Sequence, residues 1–377
     1  MGKKKILIFI DWYLPGFRAG GPIRSCANLV AHLSDEFEFL IITSDVDYLS
    51  LSSYKTVNKN EWNRLPDGSS VYYIANEKLN STVIKKLIKE TETDYYYLNG
   101  IFSKLFTIVP LRYISDKKNV IIASRGMLAS SALAIKSLKK KLFLFFAKKT
   151  ELFNGVTFQA SSQEEMNQIL LFFPQAKIIV APNLPRKMVL SKPNTRKKQF
   201  GELRLLNIAR ISPEKNLLFA LEVLKHVKGN VSFDYYGSIY DHLYADKCNK
   251  ALKGLPENIK AEYKGEANSE MLFQSMTDYH FLFMPSRGEN FGHIILESMS
   301  EGLPVIISDQ TPWNNLELKN AGWEISLRNT SGFVTVIEKC VEMNASEYDA
   351  CSNAAFKYAA QIVMDKEKIQ ANRRLFS

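Results

Sequence analysis

The sequence contains little cysteine and histidine, and neither is arranged for cross-linking or metal binding. Its four cysteines, Cys26, Cys248, Cys340 and Cys351, lie far apart, without C-x-x-C spacing and without clustering among the five histidines. Disulfide frameworks and zinc sites require such clusters. We therefore expect four thiols that pack in the interior, no disulfide and no bound metal.

Long apolar stretches are also missing. No segment of the 377 residues approaches the roughly 18 uninterrupted apolar residues of a membrane-spanning helix. The first apolar run, residues 6–10, ends at Asp11; this is too short for the hydrophobic region of a signal peptide and suits a buried strand. We expect a cytoplasmic location, with at most peripheral contact with the inner face of the cytoplasmic membrane.

The G-x-G-x-x-G pattern of dinucleotide-binding units does not occur in the sequence. Its absence argues against a dinucleotide-dependent oxidoreductase or a sugar epimerase, which stays as an alternative. Signatures of nucleic-acid-binding modules are absent as well, so we expect no nucleic acid as a partner. A non-catalytic protein that binds an anionic ligand is the remaining alternative.

Positive charge is abundant and unevenly spread. The net charge is +10, which indicates an anionic partner such as lipid headgroups or a phosphorylated substrate. Lysines cluster in the segment KSLKKKLFLFFAKK, Lys136–Lys149, around leucine and phenylalanine. On a helix this pattern makes a basic amphipathic face that lies on anionic membranes. The alternative is a core helix with solvated lysines along its edges.

Short aliphatic runs alternate with longer segments of helical periodicity along the whole chain, as in KILIFI, FEFLIITS and NVIIAS. These runs are apolar throughout instead of alternating, which is typical of parallel strands covered on both faces. A chain of 377 residues is too long for one ordinary core. The predicted fold class is α/β, with two Rossmann-like, doubly wound domains facing a central cleft.

The polar, basic interval LPRKMVLSKPNTRKKQFGE, residues 184–202, contains two prolines and divides the two series of strands. It predicts a linker at residues 186–202. We expect an N-terminal domain over residues 1–185 and a second domain over 203–355. Residues 356–377 have helical periodicity with no strand after them, and we expect them to pack back toward the first domain. Ligands should bind at the carboxyl ends of the strands, in the cleft.

Two loops that follow predicted strands offer groups for binding an anion. Gly20 and Gly21 precede a helix, where free amides favour an anion and glycine lets the backbone approach a ligand. Arg210 ends the first strand of the second domain, and Lys215 lies beside the next helix start. Such sheets bind phosphates at this position. A plain turn and two solvated charges are the alternatives.

Two carboxylates occupy a segment that otherwise predicts a buried strand, turn and helix, PSRGENFGHIILESMSEGLP. Glu289 lies in the Gly-containing turn, and Glu297 lies eight residues later among apolar side chains of the helix. A carboxylate accepts hydrogen bonds in pairs, as vicinal sugar hydroxyls donate them. The two side chains therefore indicate contacts with two sugar rings of one ligand. A helix-start charge and a partner for a nearby cation are the alternatives.

In combination these features resemble the retaining GT-B glycosyltransferases of the group 1 type, over nearly the whole chain. Two α/β domains, the Gly-Gly turn, the arginine and lysine, and the E-x7-E spacing occur in the family's order. The resemblance implies transfer of a hexose from a nucleotide-diphosphate sugar to a glycan or lipid-linked acceptor, as in bacterial surface polysaccharide biosynthesis. It implies retention at the transferred carbon and no metal or other cofactor.

The resemblance also assigns roles to residues. Arg210 and Lys215 would hold the diphosphate and stabilise the charge of the leaving group, while Glu289 would contact the transferred sugar and Glu297 the ribose. Closure of the two domains would assemble the site. The further substrate-binding positions that it implies are Gly20, Gly21, Asn290, Phe291, Gly292, His293 and Ile294.

Two positions are unusual for the family. Many relatives carry a histidine after the strand that corresponds to NVIIAS, whereas this chain has Arg125 and Gly126 there. We treat Arg125 as a candidate on the acceptor or sugar side. His293 lies just inside the helix between the two glutamates, and contact with the ligand and helix packing both stay open for it.

One competing enzyme class is the metal-dependent GT-A transferases. Asp45 and Asp47 form the D-x-D tripeptide that this class uses. The tripeptide is common by chance, and the two series of strands do not fit a single-domain layout. The layout therefore argues against this class, and activity that survives exhaustive chelation would exclude a required metal.

Overall fold

The computed structural model describes residues 2–134, 137–188, 190, 196–266, 273 and 275–377. It divides into two compact units. Unit 1 comprises Met1–Lys187 and Asp365–Ser377, and unit 2 comprises Met188–Met364. The sequence also predicts a helix at SEMLFQSM, residues 269–276, and this segment lies largely outside the described residues. Lys136 of the basic segment lies outside them as well.

The described part of unit 1 is built on an eight-stranded sheet with the order β3-β4-β2-β1-β5-β6-β7-β8. Its edge strand β3 runs antiparallel to β4, and the other neighbours pair in parallel. The strands are β1 (Lys4–Phe9), β2 (Phe37–Ser44), β3 (Trp62–Arg64), β4 (Ser70–Ile74), β5 (Tyr95–Asn99), β6 (Val120–Ala123), β7 (Thr157–Ala160) and β8 (Lys177–Val180). The helices are α1 (Gly21–Leu33), α2 (Ser81–Glu90), α3 (Val109–Tyr113), α4 (Ser130–Ala134), α5 (Ser137–Lys149) and α6 (Gln163–Phe172).

The first strand shows why the predicted runs lack alternation. Ile6 and Ile8 pack into one apolar cluster, with α1, while Leu7 and Phe9 pack into a second cluster on the opposite face. Side chains of a strand alternate between faces, so a strand covered on both sides must be apolar at every position. The expectation of a parallel sheet covered on both faces is confirmed in unit 1.

Unit 2 repeats this plan within its described residues, with a parallel six-stranded sheet in the order β11-β10-β9-β12-β13-β14. The strands are β9 (Glu202–Ile208), β10 (Asn230–Tyr236), β11 (Ile259–Tyr263), β12 (Phe281–Met284), β13 (Val305–Ser308) and β14 (Gly322–Ile325). The helices are α7 (Leu217–Leu224), α8 (His242–Leu252), α9 (His293–Ser300), α10 (Thr330–Glu342) and α11 (Ala345–Val363). Each unit is therefore α/β, with strand order reversing beside its first strand.

Two strands escaped the sequence analysis. The edge strand β3 has three residues, of which Trp62 is exposed, and so gives no apolar run. Strand β14 begins at Gly322, where a Cβ would lie 2.0 Å from the backbone oxygen of Val305. A strand that is very short, or that contains a glycine, lacks the run of apolar side chains by which the sequence analysis recognises strands.

The expectation that the cysteines pack in the interior is confirmed. All four are free and buried. Among the described residues no helix combines the length and the apolar character needed to cross a membrane.

The chain leaves unit 2 only after α11. This helix runs from Ala345 to Val363 behind a capping box of Asn344 and Glu347, so the predicted boundary at residue 356 falls inside it. The chain joins unit 1 at Asp365 and continues as α12 (Lys366–Arg373). Within the predicted linker the described Arg196 and Lys198 are buried cations of unit 2 and are not solvated.

The last residues are anchored in unit 1 by Phe376. This side chain is fully buried. Its ring lies 5.5 Å from that of Phe37 and about 6 Å from those of Phe39, Tyr95 and Tyr97, mostly edge to face. The aromatic contacts fasten the chain terminus to the sheet of unit 1.

A buried carboxyl follows the central strand of unit 1. Asp11 comes directly after β1 and Ile10, and its Oδ1 accepts a hydrogen bond of 2.8 Å from the Ser103 hydroxyl, in the loop after β5. Burial raises the pKa of Asp11 to about 6, against the opposing effect of the Ser103 hydrogen bond. Removing a carboxylate from water disfavours its charged form.

We predict that Phe376→Ala lowers the free energy of unfolding of unit 1 by about 3–5 kcal/mol, because it removes a buried ring and leaves a cavity. Denaturant melts followed by circular dichroism measure the change. Phe200 is 72% exposed, and Phe200→Ala is the matched control that should change stability by less than about 0.5 kcal/mol. Equal effects of the two substitutions would contradict the anchor.

We also predict a pH-dependent stability difference between wild type and Asp11→Asn. The folded pKa of about 6 lies above the unfolded value of about 3.9, so the folded wild type binds more protons than the unfolded chain between these values. Its stability must then fall as pH rises through this window, while the amide does not titrate. Melting temperatures at pH 4, 5, 6 and 7 should shift progressively in favour of Asp11→Asn. A difference that is constant with pH would refute this.

Candidate active site

The loops that follow β9 and β12 bring two predicted site residues into contact. Nζ of Lys215 lies 2.6 Å from Oε1 of Glu289, and the side chains are 16% and 12% exposed. The sequence analysis gave the two residues separate roles and did not predict this ion pair. Residues 74 positions apart meet because β9 and β12 are neighbours in the sheet.

Arg210 lies on the same loop as Lys215, two residues after β9. Its guanidinium lies 5.4 Å from the centre of the Tyr240 ring and 4.0 Å from the Glu214 carboxylate. It is half-buried. The backbone beside it is crowded by Gly237, where a Cβ would lie 1.9 Å from the backbone oxygen of Ala209. Only glycine at position 237 permits this approach.

The turn that carries Glu289 is held from the side of β13. The amide of Glu289 donates a hydrogen bond of 3.1 Å to the backbone oxygen of Gln310. The Ser308 hydroxyl donates a short hydrogen bond to the backbone oxygen of Ser286. Both bonds fix the backbone and neither uses the Glu289 side chain. The carboxylate therefore remains available to bind Lys215.

Helix α9 begins at a turn that requires glycine. Gly292 has φ of 72°, and a Cβ there would lie 2.8 Å from Cδ1 of Ile295 and 3.2 Å from Nε1 of Trp313. The Trp313 indole donates a hydrogen bond of 2.6 Å to the backbone oxygen of Phe291. Trp313, which the sequence analysis missed, therefore packs against the turn and holds it from behind.

The first backbone amides of α9 lie ahead of its intrahelical hydrogen bonds. The oxygen of Gly292 accepts hydrogen bonds from the amides of Ile295 and Leu296. The amides of His293 and Ile294 precede these first intrahelical bonds. Such amides, together with the helix dipole, favour an anion.

His293 and Glu297 lie one turn apart on α9 and are both buried, with exposed fractions of 7% and 6%. The His293 ring centre is 4.7 Å from that of Phe291, which shows that His293 packs within the turn. The two glutamates thus occupy different environments. Glu289 lies in a turn with a lysine partner, and Glu297 lies within a helix whose residues are all buried.

Gly20 and Gly21 stand at the start of α1 in unit 1. Gly20 has φ of 71°. Among the described residues nothing lies within 4 Å of a Cβ built at either position. Packing therefore does not require these glycines; the backbone conformation requires Gly20.

The loop before the two glycines is anchored by Asp47. Its Oδ2 accepts hydrogen bonds from the amides of Phe17, at 2.9 Å, and Arg18, at 3.2 Å. Asp45 is fully buried. Its Oδ1 accepts a hydrogen bond of 2.9 Å from the Asn76 backbone amide, and its Oδ2 lies 3.2 Å from Nζ of Lys59. Both aspartates of the D-x-D tripeptide thus anchor loops.

No group of three or more histidine, cysteine, aspartate or glutamate side chains in the described ranges is arranged to hold a metal ion.

Arg125 follows β6 and is held in a left-handed backbone conformation with φ of 54°. Its Nε, Nη1 and Nη2 donate hydrogen bonds to Asn99 at 2.6 Å, Asn183 at 2.5 Å and the Tyr97 hydroxyl at 2.7 Å. These three acceptors escaped the sequence analysis, since nothing in their local sequence points to Arg125. The network fixes the orientation of the guanidinium.

Glu165 of α6 binds the turn that contains Arg125. Its carboxylate accepts hydrogen bonds from the Ser124 hydroxyl, the Gly126 amide, and the amide and hydroxyl of Ser161, at 2.5–2.7 Å. Glu165 is 2% exposed. Four donors satisfy a charge that would otherwise be costly to bury.

The match to a known protein family falls within unit 2. Residues 191–358 match the family described as "Glycosyl transferases group 1". A segment of 102 residues is 31% identical to sulfoquinovosyl transferase SQD2 of Arabidopsis thaliana. That match covers 27% of this chain and spans only 18% of the length of the relative.

Solved structures extend the likeness to the whole chain. The structure of HepE from Anabaena in complex with UDP and glucose has a TM-score of 0.69 at 16% identity, covering 99% of this chain and 98% of that one. The structure of WaaG, a glycosyltransferase involved in lipopolysaccharide biosynthesis, has a TM-score of 0.69 at 14% identity, covering 98% of this chain and 99% of that one. At these identities the likeness shows the fold.

The two-sheet fold and the family match lead to the same assignment. Both units carry the doubly wound sheets expected from the sequence. The family match falls on the unit that contains the Lys215–Glu289 pair. The chain therefore has the GT-B fold, and residues 191–358, which lie in unit 2, match the group 1 glycosyltransferase family.

Proposed function

We propose that this protein transfers a hexose, with retention, from a nucleotide-diphosphate sugar to a glycan or lipid-linked acceptor in bacterial surface polysaccharide biosynthesis. The observation that carries the proposal is the Lys215–Glu289 pair at the carboxyl edge of the unit 2 sheet, beside the start of α9. Open parallel sheets bind their ligands at this edge, where the strand order reverses.

The proposed chemistry follows from the charges in these loops. Cleavage between the anomeric carbon and the diphosphate develops negative charge on the leaving group. Arg210 and Lys215 are the cations that would stabilise it, together with the first amides of α9. Glu289 would accept hydrogen bonds from the transferred sugar, and Glu297 from the ribose. Asn290, Phe291 and Gly292 would shape the turn around the ligand.

Two cations and a helix start supply the counter-charge that a diphosphate requires. We therefore propose a transfer that needs no metal or other cofactor. Gly20, Gly21 and Arg125 of unit 1 are proposed for the acceptor or sugar side.

The relatives support the substrate class and the setting. The HepE structure holds UDP and glucose, and WaaG is involved in lipopolysaccharide biosynthesis. SQD2 is named as a sulfoquinovosyl transferase.

A second part of the proposal concerns peripheral contact with an anionic membrane through α5. This helix has two apolar faces. Leu144 and Ala147 are buried in the core of unit 1. On the opposite side Leu138, Phe145 and Phe146 are 80%, 61% and 51% exposed.

Lysines border this outer face of α5. Residues 138, 142, 145 and 146 form a stripe at helical spacing, and Leu142 is 55% exposed. At 100° per residue, Lys139 lies on one side of the stripe and Lys141 and Lys148 lie on the other. Apolar side chains between lysines favour the interface of an anionic bilayer over solvent. The interpretation as a core helix fits the inner face of α5, and we propose the membrane interpretation for its outer face.

We predict that Glu289→Gln lowers the rate of nucleotide release at least about 100-fold, because the neutral amide leaves Lys215 without its counter-charge and replaces one of the two oxygens that accept hydrogen bonds from the sugar by a donor. UDP-, GDP- and ADP-glucose serve as probes, and melting temperature checks the fold. Glu222→Gln is the matched control, since it removes another Lys–Glu ion pair of unit 2, at 2.8 Å on α7. Full activity of Glu289→Gln would overturn the site.

We predict that Phe145→Ser with Phe146→Ser weakens binding to vesicles of phosphatidylglycerol at least about 100-fold, because each buried apolar side chain contributes about 1.5–3 kcal/mol. Lys139→Gln with Lys141→Gln should weaken it by about 30-fold at low salt, at about 1 kcal/mol per lysine. Leu171→Ser, which changes another exposed side chain of unit 1, is the control. Co-sedimentation measures binding; unchanged binding of both double variants would remove the membrane contact.

A further inference from the structure

The loops that carry Lys215 and Glu289 extend beyond the backbone pairing of their strands. The paired residues of β9 and β12 are Leu205 with Phe281 and Leu206 with Leu282. Past this ladder, side-chain amides continue the contact. The first is Asn207, which donates a hydrogen bond of 2.7 Å to the backbone oxygen of Phe283.

Three further hydrogen bonds join the two loops close to the ion pair. The Asn216 amide group donates to the backbone oxygen of Pro285 at 3.0 Å. Nε of Arg287 donates to Oδ1 of Asn216 at 3.1 Å. The backbone amide of Arg287 donates to the oxygen of Glu214 at 2.8 Å. We call Asn216 and Arg287, with these bonds, the clasp.

The clasp lies immediately beside the charged pair on both loops. Asn216 follows Lys215 in the chain, and Arg287 precedes Glu289 by two residues. Asn216 is 3% exposed. Its side chain uses the oxygen and the nitrogen of one amide to bind two positions on the other loop.

The residue at position 216 also meets a backbone requirement. Asn216 has φ of 61° in the left-handed region and is the N-cap of α7. Glycine and asparagine are the residues that adopt this conformation most readily. Glycine would meet the backbone requirement but would supply neither hydrogen bond, so the amide has a function beyond the turn.

We propose that Asn216 and Arg287 are positioning residues that set the separation of Lys215 and Glu289. This inference rests on the proposed function, in which that pair binds the diphosphate and the sugar. A lysine has a long flexible side chain, and ordering it costs rotamer entropy. The clasp fixes the backbone segments from which the side chains of Lys215 and Glu289 extend. Since a displacement of about 1 Å in a catalytic site can cost about 100-fold in rate, a fixed separation has consequences for transfer.

Asn216→Gly tests the clasp because it keeps the left-handed backbone and removes the amide. We expect kcat for nucleotide release from the accepted glucose nucleotide to fall about tenfold, with KM changed less than threefold. In the Lys215→Met background the same substitution should have no further effect, since Asn216 acts through Lys215. A merely structural role would lower activity by the same factor in both backgrounds.

Asn315→Gly is the matched control. Asn315 is another asparagine of unit 2 with φ of 59°, and its substitution should leave kcat unchanged. Crystal structures give a readout that does not depend on activity. In Asn216→Gly the distance between Nζ of Lys215 and Oε1 of Glu289 should lengthen beyond 4 Å or become variable between copies.

The outcomes separate the clasp from the proposed function. A retained short Lys215–Glu289 distance in Asn216→Gly overturns the clasp, as does a kcat equal to that of the wild type. If wild type releases no nucleotide from any of the three probes, the proposed function fails. The distance measurement then still decides whether Asn216 and Arg287 position the pair.

Discussion

The ion pair between Lys215 and Glu289 constrains the edge of unit 2 on which the site is built. Both side chains are mostly buried, and a buried charge that loses its partner typically costs about 3–5 kcal/mol. The loops after β9 and β12 must therefore meet. Beyond the backbone pairing of the two strands they are joined by the hydrogen bonds of Asn207, Asn216 and Arg287. Charge compensation and loop geometry thus depend on each other.

Helix α9 is fixed at both ends, which keeps the Glu289 turn in place. At its start Trp313 packs against Gly292. At its end the guanidinium of Arg196, which is 4% exposed, donates hydrogen bonds to the backbone oxygens of Glu301 at 2.8 Å and Gly302 at 3.1 Å. A cation suits the carbonyl-rich end of a helix. A basic residue in a predicted linker therefore serves the helix that carries the site.

The fold could be predicted from the sequence because its signal is local. Buried parallel strands are apolar at every position, and the loops after them carried the charged residues. The contacts between loops could not be predicted. The sequence around Asn216 does not indicate its hydrogen bond to Pro285, which is 69 residues away. The sequence around Glu165 is that of an ordinary glutamate at a helix start. Long-range partners depend on sheet order, which spacing along the chain does not encode.

The two glutamates show how far spacing can be taken. Eight positions separate Glu289 and Glu297, but the turn at Gly292 lies between them, with φ of 72°. Glu289 therefore belongs to a loop that contacts the loop following β9, while Glu297 belongs to a helix packed into the core. A carboxylate in a loop can accept hydrogen bonds from a ligand while it keeps its lysine partner, because each of its two oxygens has two lone pairs. One inside a buried helix must keep its hydrogen bonds. Their chemistry differs because their surroundings differ, although the residue type is the same.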